Sequence, residues 1–147
     1  MKVGTMDAAP PVLLQRLQTA MADHDLDALV GCFAPGYRNE TPLHPSQNFT
    51  GNAQVRQNWT RILGSVPDLT ATLVRWAEGS GGALWAEWDW RGTRRDGVPL
   101  HLAGVTILGT DDPGDAAFGW SRFYMEPVEA DGVAVDAAVA TTVGGAR

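Results

Sequence analysis

The sequence predicts an α+β fold: a curved antiparallel sheet packed on about three N-terminal helices. Three observations predict it. Apolar residues recur at helical spacing up to Val66. After Pro67 the period changes to the alternation of strands. The strand candidates that follow are joined by short turns rich in Gly and Asp, the punctuation of hairpins.

Each element has a local reason. Pro10-Pro11 opens a first helix, in which Leu13, Leu14, Leu17, Ala20 and Met21 form one face. Asp25 is placed to cap a short second helix with Leu26, Leu29, Val30 and Phe33 on its face, and Pro35-Gly36 ends it. Tyr37 to Thr41 reads as extended, and Leu43 to Gly51 as a loop. Val55, Trp59, Ile62 and Val66 stripe a third helix, which Pro67 discourages from continuing. Strands are predicted over Leu69–Ala77, Ala83–Thr93, Leu100–Gly109 and Phe118–Pro127.

The 147 residues make one domain, residues 1–129, with an Ala/Val/Gly-rich tail over 130–147. Lys+Arg 11 against Asp+Glu 17 gives a net charge of −6, which argues against nucleic acid and anionic membrane as partners. The single Cys32 rules out an intramolecular disulfide, and no Cys/His spacing suggests a zinc site, so no metal is expected. No apolar run resembles a signal peptide or a membrane span, and the expected setting is cytoplasmic.

Two strands carry mixed faces. In Ala83–Thr93, Leu84, Ala86, Trp88 and Trp90 share one face, and Trp85, Glu87, Asp89 and Arg91 the other. In the last strand Trp120, Arg122, Tyr124 and Glu126 oppose Ser121, Phe123 and Met125. One reading turns the charges to water and the tryptophans under the helices, as in half-solvated antiparallel sheets. The other makes the charged face the concave wall of a pocket and leaves Trp88 and Trp90 on a convex face, an apolar patch that a second copy would cover.

The element order, with the strings His24–Tyr37, Phe49–Trp59, Val66–Leu69, Trp85–Gly97 and Gly119–Pro127, resembles the nuclear transport factor 2-like, or SnoaL-like, superfamily over residues 10–128. The resemblance implies a cone-shaped α+β barrel around a small-molecule pocket, a homodimer through the convex sheet face, and chemistry without a cofactor. One fold of this kind hosts isomerases, cyclases, lyases, epoxide hydrolases and proteins that only bind. The limonene epoxide hydrolase branch offers the nearest comparison. Tyr37-Arg38-Asn39 ahead of Pro42 and Pro45 matches its Tyr-x-Asn, and Asp89 falls on its middle-strand aspartate. Glu87 stands where that branch has arginine, and Arg122 where it has its water-activating aspartate. The Gly-Thr-His string of the polyketide cyclases reads Gly92-Thr93-Arg94 here.

That branch turns the matching carboxylates into its pocket, so the resemblance implies the concave-pocket reading. The candidate catalytic groups are Glu87, Asp89 and Arg122, and the candidate substrate contacts are Tyr37, Asn39, His44, Trp59, Arg91, Leu100, Leu102, Trp120 and Tyr124. Glu87 and Asp89 would lie about 6–7 Å apart at i and i+2 of one face. Arg122 would lock one carboxylate and leave the other to exchange a proton as a general acid or base on a small, largely apolar substrate. The alternative from a different class is a non-catalytic ligand-binding or dimeric accessory protein with the same pocket. His44 is otherwise a solvated loop residue. His101 alternates with Leu100 and Leu102 and faces away from the pocket, His24 caps a helix end, and Cys32 fills core space.

Overall fold

A computed structural model describes residues 2–3 and 9–144. Helices α1 (Val12–Ala22) and α2 (Leu26–Gly31) lead into strand β2 (Phe33–Glu40), after the two-residue strand β1 (Lys2–Val3). The two-residue strand β3 (Phe49–Thr50) precedes helix α3 (Asn52–Ser65). Strands β4 (Thr70–Glu78), β5 (Leu84–Thr93), β6 (Pro99–Gly109) and β7 (Phe118–Pro127) follow, and helix α4 (Val135–Val143) closes the chain. The result is one curved, unclosed sheet in the order β1-β4-β5-β6-β7-β2-β3, with α1, α2 and α3 against its inner face.

The local reasons hold. The Asp25 carboxylate caps α2 by accepting from the Ala28 N–H at 3.0 Å, satisfying one of the donors a helix start leaves free. Strand β2 begins earlier than its sequence signals suggest. Pro35-Gly36 does not separate helix from strand but lies within β2, where the register to β7 shifts between Phe33 and Arg38. The β2–β7 pairing is parallel, while the other ladders are antiparallel. The tail contains α4, whose Val135, Val139 and Val143 are exposed and which ends on Gly144 in the left-handed conformation.

The core settles which sheet face is which. The helix stripes present Leu14, Leu17, Met21, Leu29 and Val55, and these pack on Trp76, Leu84, Ala86, Trp88 and Trp90. Trp88 is 2% exposed and Trp90 7% exposed within the single chain. The expectation that these two tryptophans form a convex dimer face is therefore corrected: the chain's own helices cover them. The physical reason is area. Three helices with apolar stripes need an apolar sheet face, and each buried large side chain contributes roughly 1.5–3 kcal/mol.

Register then fixes every other strand. Trp88 pairs with Gly104 and Trp90 with Leu102 across β5–β6, and Thr106 with Phe123 and Leu108 with Ser121 across β6–β7. These residues share the inner face. Glu87, Asp89 and Arg91 pair with Val105, Ala103 and His101, and Arg122 and Tyr124 with Ile107 and Val105, on the outer face. Gly104 has φ +147°, and a Cβ there would fall on the Tyr124 carbonyl oxygen. The bare position lets β7 approach closely opposite the Trp88 ring.

Candidate functional site

Between the helices and the inner face lies a cavity of about 520 Å³. Leu17, Met21, Val55, Trp59 and Ile62 line its helical side. Phe33, Trp88, Trp90, Leu108 and Phe123 line the sheet side, and Phe49 comes from the segment after β2. Trp59 lies against Trp90 with ring centroids 5.3 Å apart and planes at 54°. The segment Thr41–Gly51 is held across the cavity by two hydrogen bonds of 2.6 Å, from Thr41 N–H to Asn48 Oδ1 and from Gly51 N–H to the Tyr37 carbonyl.

The polar part of the wall is neutral. Tyr37 and Asn39 on β2 meet Ser121 on β7, because the parallel register sets Asn39 beside Ser121. Ser121 Oγ, in a residue 1% exposed, donates to Asn39 Oδ1 at 2.9 Å. Asn39 Nδ2 donates to Thr41 Oγ1 at 3.2 Å. The Tyr37 hydroxyl contacts Ser121 Oγ and lies 3.3 Å from Asn39 Oδ1. With the Ser121 and Asn39 protons committed, the Tyr37 proton can turn to Ser121, to Asn39 or to an oxygen in the cavity. Opposite, Trp88 Nε1 donates to Thr106 Oγ1 at 3.0 Å. Gln47, Gln54 and Asn58 complete the polar lining, with Gln54 Nε2 donating to Asn58 Oδ1 at 2.8 Å.

Among the described lining residues none is Asp, Glu, His, Lys or Arg, and the ionisable side chain present is Tyr37. Burial pushes its phenol up to about 12, against a smaller opposing effect of the Ser121 hydrogen bond. The phenol is therefore a proton-bearing donor throughout the neutral range. The shift also carries a pH consequence. A folded value above the unfolded value of 10.0 stabilises the fold fully below pH 10, and this contribution is lost as pH rises toward 12. Loss of about 2–3 kcal/mol across that window is expected in urea titrations. Phenolate absorbance should show one of the two tyrosines ionising late, and Tyr37→Phe should abolish the late step.

The structure places the other candidates elsewhere. Glu87 pairs with Arg75 at 2.8 Å on the outer face. Asp89 accepts from Arg91 Nε at 2.8 Å and is 2.7 Å from His101 Nε2, and these two hydrogen bonds, Arg91 first, hold its carboxyl below the usual range. Arg122 reaches Glu40 at 2.8 Å and donates to the Tyr124 hydroxyl at 3.2 Å. The expected Arg122–carboxylate lock with Glu87 or Asp89 does not form, because β6 separates their strands. Arg91, Trp120 and Tyr124 share that outer face, and Trp120 lies over Gly109. His44 pairs with Glu126 at 2.7 Å, away from the cavity wall. Leu100 and Leu102 are on the inner side but pack on the core beside the cavity. Tyr37, Asn39 and Trp59 do line it.

Sequence reasoning missed Ser121, Thr41, Thr106, Gln54 and Asn58. For Thr106 and Ser121 the available signal was their place on the sheet face of Trp88 and Trp90, while Gln54 and Asn58 come from helix α3 and Thr41 follows β2. Among the described residues, no group of three His, Cys, Asp or Glu side chains is placed to hold a metal ion, and no helix is long and apolar enough to cross a membrane.

A cone of helices on a bent sheet, hollow on its inner side, defines the class of small α+β pocket proteins. Within it, the SnoaL-like domain model matches residues 14–117, and the chain belongs to that family. No curated protein matches the sequence. Solved structures share the fold. A protein of ketosteroid isomerase-like fold from Catenulispora acidiphila, in complex with trimethylamine, is 16% identical, with 79% of this chain and 87% of that chain covered and a TM-score of 0.65. An LEH-like epoxide hydrolase from Mycobacterium tuberculosis is 14% identical, with coverage of 78% and 80% and a TM-score of 0.62. A Mycobacterium tuberculosis protein in complex with estradiol-17beta-hemisuccinate is 13% identical, with coverage of 76% and 88% and a TM-score of 0.64.

Proposed function

We propose that the inner cavity binds a neutral, mainly apolar small molecule bearing a carbonyl or hydroxyl oxygen, and that this oxygen docks on Tyr37, with Ser121 and Asn39 fixing the phenol. The observation that carries the reading is the composition of the wall: apolar and aromatic side chains around one buried, neutral hydrogen-bonding cluster. A cavity of about 520 Å³ is in the range of small-molecule sites, roughly 300–1,000 Å³. An ionic ligand gains no counter-charge from this lining, and burying it unpaired is costly. The fold relatives that hold trimethylamine and an estradiol ester support a small-molecule role for the hollow.

An enzymatic role on this geometry runs through the same phenol. Tyr37 O–H, donating to a carbonyl oxygen, stabilises negative charge developing there, and Ser121 can then turn its one hydroxyl proton from Asn39 to the phenol oxygen. The proposed general acid/base trio of the outer face has no part in it.

Calorimetry with 4-cyclohexylcyclohexanone and with bicyclohexyl, its oxygen-free counterpart, tests the reading. The ketone is expected to bind more tightly, and Tyr37→Phe to weaken it by about 5- to 10-fold, the worth of one net hydrogen bond. Glu87→Gln, Asp89→Asn and Arg122→Gln are expected to change it by less than about 2-fold, as surface groups far from a ligand do. Equal binding of ketone and hydrocarbon, or loss of binding in the outer-face variants, contradicts the proposal.

A further inference from the structure

The cavity wall changes character along its depth. Tyr37, Asn39 and Ser121 are buried, Gln54 and Asn58 are half-buried, and Gln47 and Asn48 are exposed, although all of them belong to the wall. Wall residues that also meet solvent mark the opening, so the mouth lies between helix α3 and the loop that carries Gln47 and Asn48. Its rim is made of carboxamides. Gln54 and Asn58 stand one turn apart on α3, beside the Val55, Trp59 and Ile62 stripe that faces the cavity. Gln54 Nε2 donates to Asn58 Oδ1 at 2.8 Å. This bond spends one donor and one acceptor and leaves the Gln54 carbonyl oxygen and the Asn58 amide nitrogen over. Among the described residues neither has another protein partner, and neither is shut away, since the part-buried side chains with an enclosed, unpartnered polar atom are Trp76 and Trp90. If the couple hydrogen-bonds in the opposite sense, the two termini exchange roles, and one acceptor and one donor still remain.

Resting on the inner cavity as the ligand site, we infer that the ligand presents a primary carboxamide or a lactam edge at the mouth, and that the Gln54–Asn58 couple holds it there. Both groups carry an N–H and a C=O on one edge, which is the complement of an acceptor set beside a donor. The ligand N–H donates to the free oxygen of the couple, and the ligand carbonyl accepts from its free N–H. Water satisfies the two termini when no ligand is bound. A carboxamide that displaces this water returns both hydrogen bonds, so little is lost on exchange. A ketone or ester at the same place returns one bond and sets an oxygen or a methyl group against the free acceptor, which is left unpaired. A charged end group finds no counter-charge among the described wall residues. The favoured class is therefore a neutral molecule with an apolar body, an oxygen for Tyr37 and an amide edge toward solvent.

The probes are 4-cyclohexylcyclohexanones with a carboxamide on the remote 4′ carbon, attached directly or through one methylene. Each is compared by calorimetry with its methyl ketone, in which CH₃ replaces NH₂ at nearly equal size. The better-fitting carboxamide is expected to bind about 10-fold more tightly than its methyl ketone. The double variant Gln54→Met/Asn58→Leu is expected to bring that ratio to about 1, whichever sense the couple's own bond takes. The ratio is taken within one protein, so a general change in packing cancels. Tyr37→Phe should weaken both probes and keep the ratio. In ¹H–¹⁵N spectra of the wild-type protein, which need no variant to fold, the side-chain amide resonances of Gln54 and Asn58 should move further with the carboxamide than with the methyl ketone. Equal affinities of the two probes, a preference that survives the double variant, or stationary Gln54 and Asn58 resonances at saturation overturn the inference. Each of these leaves the Tyr37 docking standing, because that docking is tested by the separate comparison of 4-cyclohexylcyclohexanone with bicyclohexyl.

Discussion

Gly104→Ala is expected to remove most of the protein's stability. The residue sits in β6 at φ +147°, a backbone conformation that side chains disfavour by about 1–3 kcal/mol. The larger cost is spatial. The added Cβ meets the carbonyl oxygen and carbon of Tyr124 and the Cα of Met125, all backbone of the paired strand β7. Backbone in the middle of a ladder cannot swing away as a side-chain tip can, so β6 and β7 must separate or twist and lose hydrogen bonds. A total of about 3–5 kcal/mol is expected, a large fraction of the roughly 5–15 kcal/mol that holds a domain of this size. Urea denaturation checks it. A midpoint within experimental error of wild type would mean that β7 does not lie over Gly104 as described.

Trp88→Ala is the second large effect, and it bears on the choice of sheet face. Trp88 is among the largest fully buried side chains and donates to Thr106. Removing a buried tryptophan costs about 3–5 kcal/mol, and the truncation also strips Thr106 of its partner. If Trp88 belongs to the chain's own core, the loss is the same at every protein concentration. If it lay in an interface between copies, the loss would be a weakened association that grows on dilution. Denaturation midpoints across a hundredfold concentration range separate the two, and concentration-independent destabilisation is the expected result.

The elements were legible because their causes are local. Asp25 ahead of an apolar face, Pro67 after Val66, and Asp96-Gly97 between two alternating runs each act within a few residues, and the observed boundaries follow them. The start of β2 was less so, since Pro35-Gly36 reads as a stop unless the strand is known to tolerate a register shift there. The parallel pairing of β2 with β7 depends on contacts more than eighty residues apart, which no local pattern encodes.

The face of the sheet that lines the cavity is not the charged one that the resemblance implies, and the reason lies in the strand pattern. Glu87 and Asp89 alternate with Trp88 and Trp90, so the pattern divides the strand into two faces without saying which is inside. Similarity of short strings suggested the charged face, with Arg122 aligned to a pocket aspartate. The structure instead seats Ser121, one residue earlier, against Tyr37 and Asn39, and a shift of one residue on a strand exchanges inside for outside. The counter-signal was present in the helices. Leu14, Leu17, Met21, Val55, Trp59 and Ile62 demand an apolar counterface, and among the strand faces the one bearing Trp88, Trp90 and Phe123 can supply it. Two of the three members of the neutral cluster, Tyr37 and Asn39, are legible in the sequence, and the third, Ser121, joins only through the β2–β7 pairing.

Five of the six indoles of this chain stand on the two faces of the sheet and the sixth, Trp59, on helix α3, so together they report directly on where a ligand binds. Trp59, Trp88 and Trp90 line the hollow, whereas Trp85 and Trp120 belong to the outer side. The decisive measurement is a titration with 4-cyclohexylcyclohexanone followed by assigned indole ¹H–¹⁵N resonances. Resonances of Trp59, Trp88 and Trp90 should shift together with a single dissociation constant while those of Trp85 and Trp120 stay fixed. Shifts confined to Trp85 and Trp120 would locate binding beside Glu87, Asp89 and Arg122 and contradict the inner-face site.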